Sequence, residues 1–295
     1  MTGITSVGVL GCGLMGSGIA QSAAAAGYRT VVRDTLPDQL VRGRKSVATS
    51  LAKLVEKGKL TAGADLAALE RLTFTSEMAN VARCDLIIEA VTEDFGLKAE
   101  LWRELDRSAG PATIFASNTS SLSIAAQAAV TGRGDRFLGL HFFNPVPLMP
   151  LVEVVRTIST AEATMASGVA FVRSLGKEPV IARDQSGFIV NLLLVPYIFD
   201  AIRALERGVA TLGDLDTAMR LGAGHPMGPL TLADFVGLDT LVRIGGIMFD
   251  EYAEARYAAP PLLRRMVTAG LLGRKSGRGF YDYSVEPPTP GGFGW

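Results

Sequence analysis

Residues 6–34 read SVGVLGCGLMGSGIAQSAAAAGYRTVVRD, and the fold follows from them. An apolar run at 6–10 enters Gly11-Cys12-Gly13-Leu14-Met15-Gly16, then a small-residue helix to about residue 26, then a second apolar run at 28–32. This is G-x-G-x-x-G between a strand and a helix, the context in which the pattern acquires meaning. Gly11 permits the tight turn, Gly13 lets a pyrophosphate approach the backbone, and Gly16 allows the helix to pack closely on the strand. The free N–H groups of the helix start, with its dipole, then face the phosphates. Asp34 closes the second run, about 20 residues on, where an acid accepts from the adenosine ribose hydroxyls. The alternative for Asp34 is a helix cap or loop acid. A carboxylate there repels a 2′-phosphate, so the expected cofactor is NAD, although the neighbouring Arg33 would partly accommodate such a phosphate.

Beyond this unit, residues 37–72 read as helical, with a basic rim at Arg42, Arg44, Lys45, Lys53, Lys57 and Lys59; such a rim is usually a solvated face. Strands follow at 85–90 (DLIIEA), 114–117 (IFAS), 137–141 and 151–155, then a helix at 161–175 and a strand near 179–182. The alternation implies a doubly wound α/β sheet, with ligands at the carboxyl ends of its strands. Glu93 and Ser120 both fall just beyond such ends.

The chain has two histidines in 295 residues. His141 ends an apolar run, three prolines (Pro145, Pro147, Pro150) interrupt regular structure after it, and the next strand carries a lone acid, Glu153, among valines. Histidine exchanges protons near neutrality, and an acid in a β-branched run is costly to bury without a partner. The pair reads as an acid/base dyad, or, equally from spacing, as a solvated loop histidine and an edge-strand acid. His225 precedes a Pro-Met-Gly-Pro turn and reads as structural.

Past residue 184 the pattern becomes helical, so the expectation is a Rossmann-type domain over 1–184 and an all-helical domain over 185–295. The first helix of the latter, near 191–205, is apolar on all sides, which implies a homodimer interface. The tail PPTPGGFGW is expected to be mobile. Lys+Arg and Asp+Glu balance at 29 each, which argues against nucleic-acid or anionic-membrane partners. Two cysteines support neither a disulfide framework nor a zinc site, and no metal is expected. With no signal-peptide pattern and no apolar run of about 18 residues, a cytoplasmic protein is expected.

In GCGLMGSGIAQ, FASNTSSLSI, GLHFFNPVPLMPLVEVV, DQSGFIVN, GAGHPMGPLTLADFVGLDT and GRKSGRGFYDY, nearly the whole chain resembles the short-chain 3-hydroxyacyl-CoA dehydrogenases, including 3-hydroxybutyryl-CoA dehydrogenases. The resemblance implies a reversible oxidation of a (3S)-3-hydroxyacyl thioester by NAD. It places the catalytic histidine and its carboxylate on His141 and Glu153, the substrate-oxygen donors on Ser120 and Asn191, and further NAD contacts on Asp34, Glu93, Lys98, Ser120, Asn144 and Lys275. Coenzyme A contacts fall on Ser50 and Lys57. The family usually has arginine after the asparagine, where this chain has Leu192.

Three other readings share parts of this pattern. The acyl group could ride on an acyl carrier protein, or the substrate could be a different hydroxy acid, such as a sugar acid, on the same fold. A non-catalytic nucleotide-binding protein would be free to lose the dyad, which is intact here.

Overall fold

The strand β1 (Ser6–Leu10) is buried at all five positions, as a central strand covered on both faces must be. The computed structural model describes residues 3–291, in two units, one running to Phe188 and one from Ile189. In the first unit β1 leads through α1 (Leu14–Ala25), β2 (Arg29–Arg33), α2 (Pro37–Glu56), α3 (Ala64–Glu70), β3 (Leu72–Thr75) and α4 (Met78–Val81) to β4 (Leu86–Glu89). Then come α5 (Phe95–Ser108), β5 (Ile114–Ser117), α6 (Ile124–Ala128), β6 (Phe137–Phe142), β7 (Leu151–Arg156), α7 (Glu162–Ser174) and β8 (Glu178–Arg183). The sheet order is β3-β2-β1-β4-β5-β6-β7-β8. It is parallel through β6, β7 runs antiparallel to β6, and β8 lies parallel to β7. This is the expected doubly wound α/β sheet. The helical reading of residues 37–72 needs correction: α2 stops at Glu56, and β3 adds an edge strand beside β2.

Successive strand residues feed opposite faces, as the pleat requires. Val7, Val9, Ile88, Leu138, Leu140, Val152 and Val154 enter one core, and Leu10, Ile87, Phe115, Phe137 and Val155 the other. In the second core Trp102 lies 5.0 Å from Phe115 and 4.8 Å from Phe137, ring centre to ring centre. Each such pair contributes roughly 0.5–1.5 kcal/mol beyond its buried area. They stiffen β5 and β6, which end in the segments of interest below.

The second unit consists of α8 (Val190–Glu206), α9 (Leu212–Gly222), α10 (Pro229–Val236), α11 (Leu238–Tyr252) and α12 (Pro261–Thr268), with a short antiparallel pair, β9 (Tyr281–Asp282) and β10 (Thr289–Pro290). Ile198, Phe199, Leu230, Leu241, Leu263 and Phe280 centre its core. The buried Asp234 accepts the Phe280 and Tyr281 N–H groups, and the buried Asp216 those of Leu230 and Thr231. Contrary to the expected mobile tail, β10 is paired and the Gly291 N–H donates to the Phe280 carbonyl at 2.7 Å. Residues 292–295 of that tail lie outside the described residues. Among the described residues no helix is long and apolar enough to cross a membrane.

Candidate active site

The turn between β1 and α1 is held by a carboxylate. Asp34 Oδ2 accepts the Cys12 N–H at 2.8 Å, and its Oδ1 accepts the Leu36 N–H at 3.1 Å. The Gln39 side chain donates to the Cys12 carbonyl from the other side. Gly11 sits at φ +95°, where a side chain is strained, and a Cβ on Gly16 would meet the Gly11 carbonyl oxygen at 1.8 Å. Gly13 differs: nothing lies within 4 Å of where its Cβ would stand. Among the described residues no side chain caps α1, which leaves its first N–H groups to an anion. A cavity of about 340 Å³ runs from Gly11 and Gly13 past Asp34 to Thr92. Leu14 and Met15 form the first turn of α1, and Leu14 is exposed. Asp34 is thus both a loop-fixing acid and a groove-lining one.

At the carboxyl ends of β4 and β5 lies a buried polar network. Lys98 Nζ on α5 is 2.6 Å from Glu89 Oε1 and 3.2 Å from Glu93 Oε2. Glu89 also accepts from the Val91 N–H and the Ser117 hydroxyl. Glu93 accepts from the Thr119 and Ser121 hydroxyls and from the Ser120 N–H. Burial pushes the Glu93 carboxyl up, but the Lys98 ammonium and these donors outweigh it and hold it below its ordinary value. Ser120 is half-buried beside this network, whereas Lys98 is 1% exposed, wedged between the two carboxylates.

His141 and Glu153 face each other directly across the β6–β7 ladder. Nδ1 lies 2.6 Å from Oε2, with Glu153 fully buried and the ring nearly so. Both side chains share the face of Phe137 and Val155, since strand neighbours two apart point the same way. The solvated-histidine alternative does not describe this arrangement. A carboxylate only accepts, so Nδ1 carries the hydrogen and Nε2 is the proton-exchanging nitrogen. Phe143 and Phe188 flank the ring at 4.5 and 5.6 Å between centres. Asn118 Oδ1 accepts the Phe142 N–H at 3.0 Å and pins the end of β6. Asn144 follows, exposed, in the loop to β7.

That loop also walls a second cavity, of about 600 Å³. Pro145, Pro147 and Leu148 form one side; Ser50 and Lys57 on the other are accompanied by Arg42, Lys45, Lys53 and Lys59. Five of the six cations of the basic rim, all but Arg44, thus line this cavity.

In the second unit Asn191 is half-buried in the first turn of α8, and Leu192 packs against the unit's core. Lys275 Nζ lies 2.6 Å from Asp239 Oδ2. His225 Nδ1 is 2.9 Å from the Tyr197 hydroxyl, a partner not foreseen from sequence.

Sequence reasoning misses Glu89, and it brings Asn118 to the ligand edge of the sheet with Thr119, Ser120 and Ser121 without giving it a role. Glu89 carried a signal: an acid inside the run LIIE requires a buried partner, and a lysine stands nine residues on. For Asn118 the sequence conveys the position just beyond β5 but not the tertiary contact to the Phe142 N–H.

Comparison with known proteins agrees over both units. Residues 6–185 match the family described as 3-hydroxyacyl-CoA dehydrogenase, NAD binding domain, and residues 187–283 its C-terminal domain. A 3-hydroxybutyryl-CoA dehydrogenase of Mycobacterium tuberculosis is 50% identical over 282 residues, covering 95% of this chain and 99% of that protein. The human mitochondrial hydroxyacyl-coenzyme A dehydrogenase is 47% identical over 287 residues, covering 95% and 91%. The crystal structure of the (S)-3-hydroxybutyryl-CoA dehydrogenase of Ralstonia eutropha superposes with a TM-score of 0.91 at 43% identity, covering 96% of this chain and all of that one.

Proposed function

The chain belongs to the 3-hydroxyacyl-CoA dehydrogenase family, and from that premise we propose that it interconverts short-chain (3S)-3-hydroxyacyl-CoA, such as 3-hydroxybutyryl-CoA, with the 3-oxoacyl thioester, using His141 as general acid and base. It is an NAD-dependent oxidoreductase with an NAD-binding domain. The residues present fit that cofactor on geometry: open space at Gly13, an uncapped α1, and Asp34 bordering the groove. Gly11, Gly13, Leu14, Met15 and Gly16 would hold the pyrophosphate, Asp34 the adenosine ribose, and Glu93, Ser120, Asn144 and Lys275 the remainder. Bound NAD supplies the hydride acceptor.

The observation that carries the reading is the 2.6 Å contact between His141 Nδ1 and Glu153 Oε2 in a buried antiparallel pair. His141 Nε2 takes the substrate hydroxyl proton, and in the reducing direction returns it. Glu153 fixes the tautomer and stabilises the imidazolium, as the acid of a catalytic triad does. Help of this kind is worth ~10²–10⁴-fold. Ser120 and Asn191 donate to the substrate oxygens where charge develops. The Phe143 and Phe188 rings pack against the imidazole, which is buried.

The cavity between α2 and the 145–148 loop supports coenzyme A as the carrier. Five cations, with Ser50 among them, suit a nucleotide bearing a 3′-phosphate. A pantetheine arm on an acyl carrier protein lacks that nucleotide, and a free sugar acid lacks the handle altogether. The second unit is assigned the homodimer interface, supported by Leu193 and Ile189 standing exposed on and beside α8. The cytoplasm is the assigned compartment.

The test is an NADH absorbance assay with acetoacetyl-CoA, its 3′-dephospho form and a carrier-loaded acetoacetyl group. Removal of the 3′-phosphate is expected to raise KM at least tenfold, with kcat retained. Equal KM values for all three would refute the coenzyme A assignment, and no turnover of any would refute the dehydrogenase reading.

A further inference from the structure

A lysine and a glutamate buried together are costly: replacing such a pair with apolar residues is often neutral or stabilising. Glu89 is fully buried and Lys98 is 1% exposed, so stability alone gives weak reason for them. Their partners point elsewhere. Glu89 Oε1 accepts the Val91 N–H at 2.7 Å and Oε2 the Ser117 hydroxyl at 2.6 Å. Lys98 reaches on to Glu93, whose Oε1 accepts from the Ser120 N–H at 3.1 Å and the Ser121 hydroxyl at 3.2 Å. These donors all lie at or beyond the carboxyl ends of β4 and β5. Asn118, in the same 117–121 segment, holds the Phe142 N–H at 3.0 Å, one residue from His141. One ammonium therefore stands at the root of a hydrogen-bonded path that reaches Ser120 on one branch and the His141 strand on the other.

We propose that Glu89 and Lys98 are positioning residues for the dehydrogenation, a buried clamp that fixes Glu93 and, through it, the 117–121 segment carrying Ser120 and Asn118. This rests on the reading of Ser120 and His141 as groups at the reacting carbon. Lys98 acts through Glu93 and Glu89 in addition to the NAD contact that the family resemblance implies, and amide exchange measured without NAD reads the positioning role alone. Without the ammonium, two carboxylates face each other with no cation between them, Glu93 withdraws, and the Ser120 amide loses its acceptor. A displacement of about 1 Å at a reacting group costs on the order of 10²-fold in rate.

The test compares Lys98→Met, Glu89→Gln and Ser117→Ala with a control on the same helix, Asp106→Asn. Asp106 pairs with Arg133 at 2.6 Å and also holds the Gly132 N–H, away from the clamp. In each full-length variant, kcat and KM with NADH and acetoacetyl-CoA, the melting temperature, and hydrogen exchange of the Ser120, Ser121 and Leu122 amides are measured. Lys98→Met is expected to lower kcat about 10²-fold with KM for acetoacetyl-CoA changed less than threefold, and to speed exchange at those amides. Asp106→Asn is expected to lower the melting temperature with kcat and exchange unchanged. A Lys98→Met enzyme that melts earlier yet keeps kcat within threefold and normal exchange would overturn the proposal. Should Lys98→Met not fold, Ser117→Ala decides: a loss of about tenfold in kcat with faster exchange supports the clamp, and neither change overturns it. If the unaltered enzyme shows no NADH-linked turnover, the functional reading falls, while the exchange comparison still decides whether the clamp exists.

Discussion

Replacing Glu153 with glutamine isolates what its charge does. The amide keeps the size of the side chain and an oxygen that accepts from Nδ1, so the ring stays oriented and only the stabilisation of the imidazolium is lost. Oε2 and Nδ1 are 2.6 Å apart, which sets the charge centres at about 4 Å. At an effective dielectric of roughly 20 that separation corresponds to about 4 kcal/mol. Each 1.36 kcal/mol off the barrier is tenfold, and the imidazolium is only partly formed in the transition state. Glu153→Gln is therefore expected to lower kcat roughly 10²- to 10³-fold. Because it removes a buried charge rather than exposing one, the melting temperature should hardly move. The assay is NADH-linked turnover of 3-hydroxybutyryl-CoA at saturating NAD, with calorimetry on the same preparations. A folded variant retaining kcat within fivefold would refute the argument that the acid stabilises the protonated ring.

Asp34→Ala removes the acceptor of the Cys12 N–H as well as the groove acid, so KM for NAD should rise at least tenfold and the preference for NAD over NADP should relax; an unchanged KM would count against the ribose assignment. Asp85 accepts from the backbone and hydroxyl of both Thr5 and Ser6 on one oxygen. Burial pushes its carboxyl up, but these donors outweigh that and leave it below its ordinary value. A lowered folded value means stability that is complete above the unfolded value of about 3.9 and is lost as the pH falls through the folded one. The gap in urea midpoint between the parent and Asp85→Asn should accordingly be open at pH 7 and narrow as the pH falls below about 3.9; a gap that stays constant contradicts the assignment. Burial pushes the Cys84 thiol up to about 11 and raises that of Cys12, so alkylation by iodoacetamide at pH 8 should follow unfolding. Rapid labelling of the native protein would contradict it.

The glycine turn was legible because each of its glycines has a steric reason that sequence order alone conveys: a positive φ, an open face, a close helix. The dyad was legible as spacing only. That His141 and Glu153 are opposite neighbours depends on β7 turning back antiparallel, a matter of the proline-rich loop between them. β3 was hidden because Leu72–Thr75 is a four-residue, half-exposed edge strand directly after a helix, too short for an alternating pattern to register. Its pairing to β2 makes it a strand, and that contact is tertiary. From charge pattern alone the basic rim reads as a solvated face, and only the resemblance, through Ser50 and Lys57, marks it as more; that Pro145, Pro147 and Leu148 wall a cavity beside it is a tertiary fact. Glu89 hides in the sequence as part of an apolar run, yet its full burial makes it one of the more demanding residues of the first unit.

In the proposed reaction the His141 imidazole moves the proton while hydride passes to or from the nicotinamide. The most direct measurement is single-turnover oxidation of NADH by acetoacetyl-CoA in the parent and in His141→Gln, with NADH affinity determined by fluorescence titration. The rate in the variant is expected to be at least 10²-fold lower, with the NADH dissociation constant unchanged within threefold. A variant that binds NADH normally and turns over at close to the parent rate would remove His141 from the mechanism.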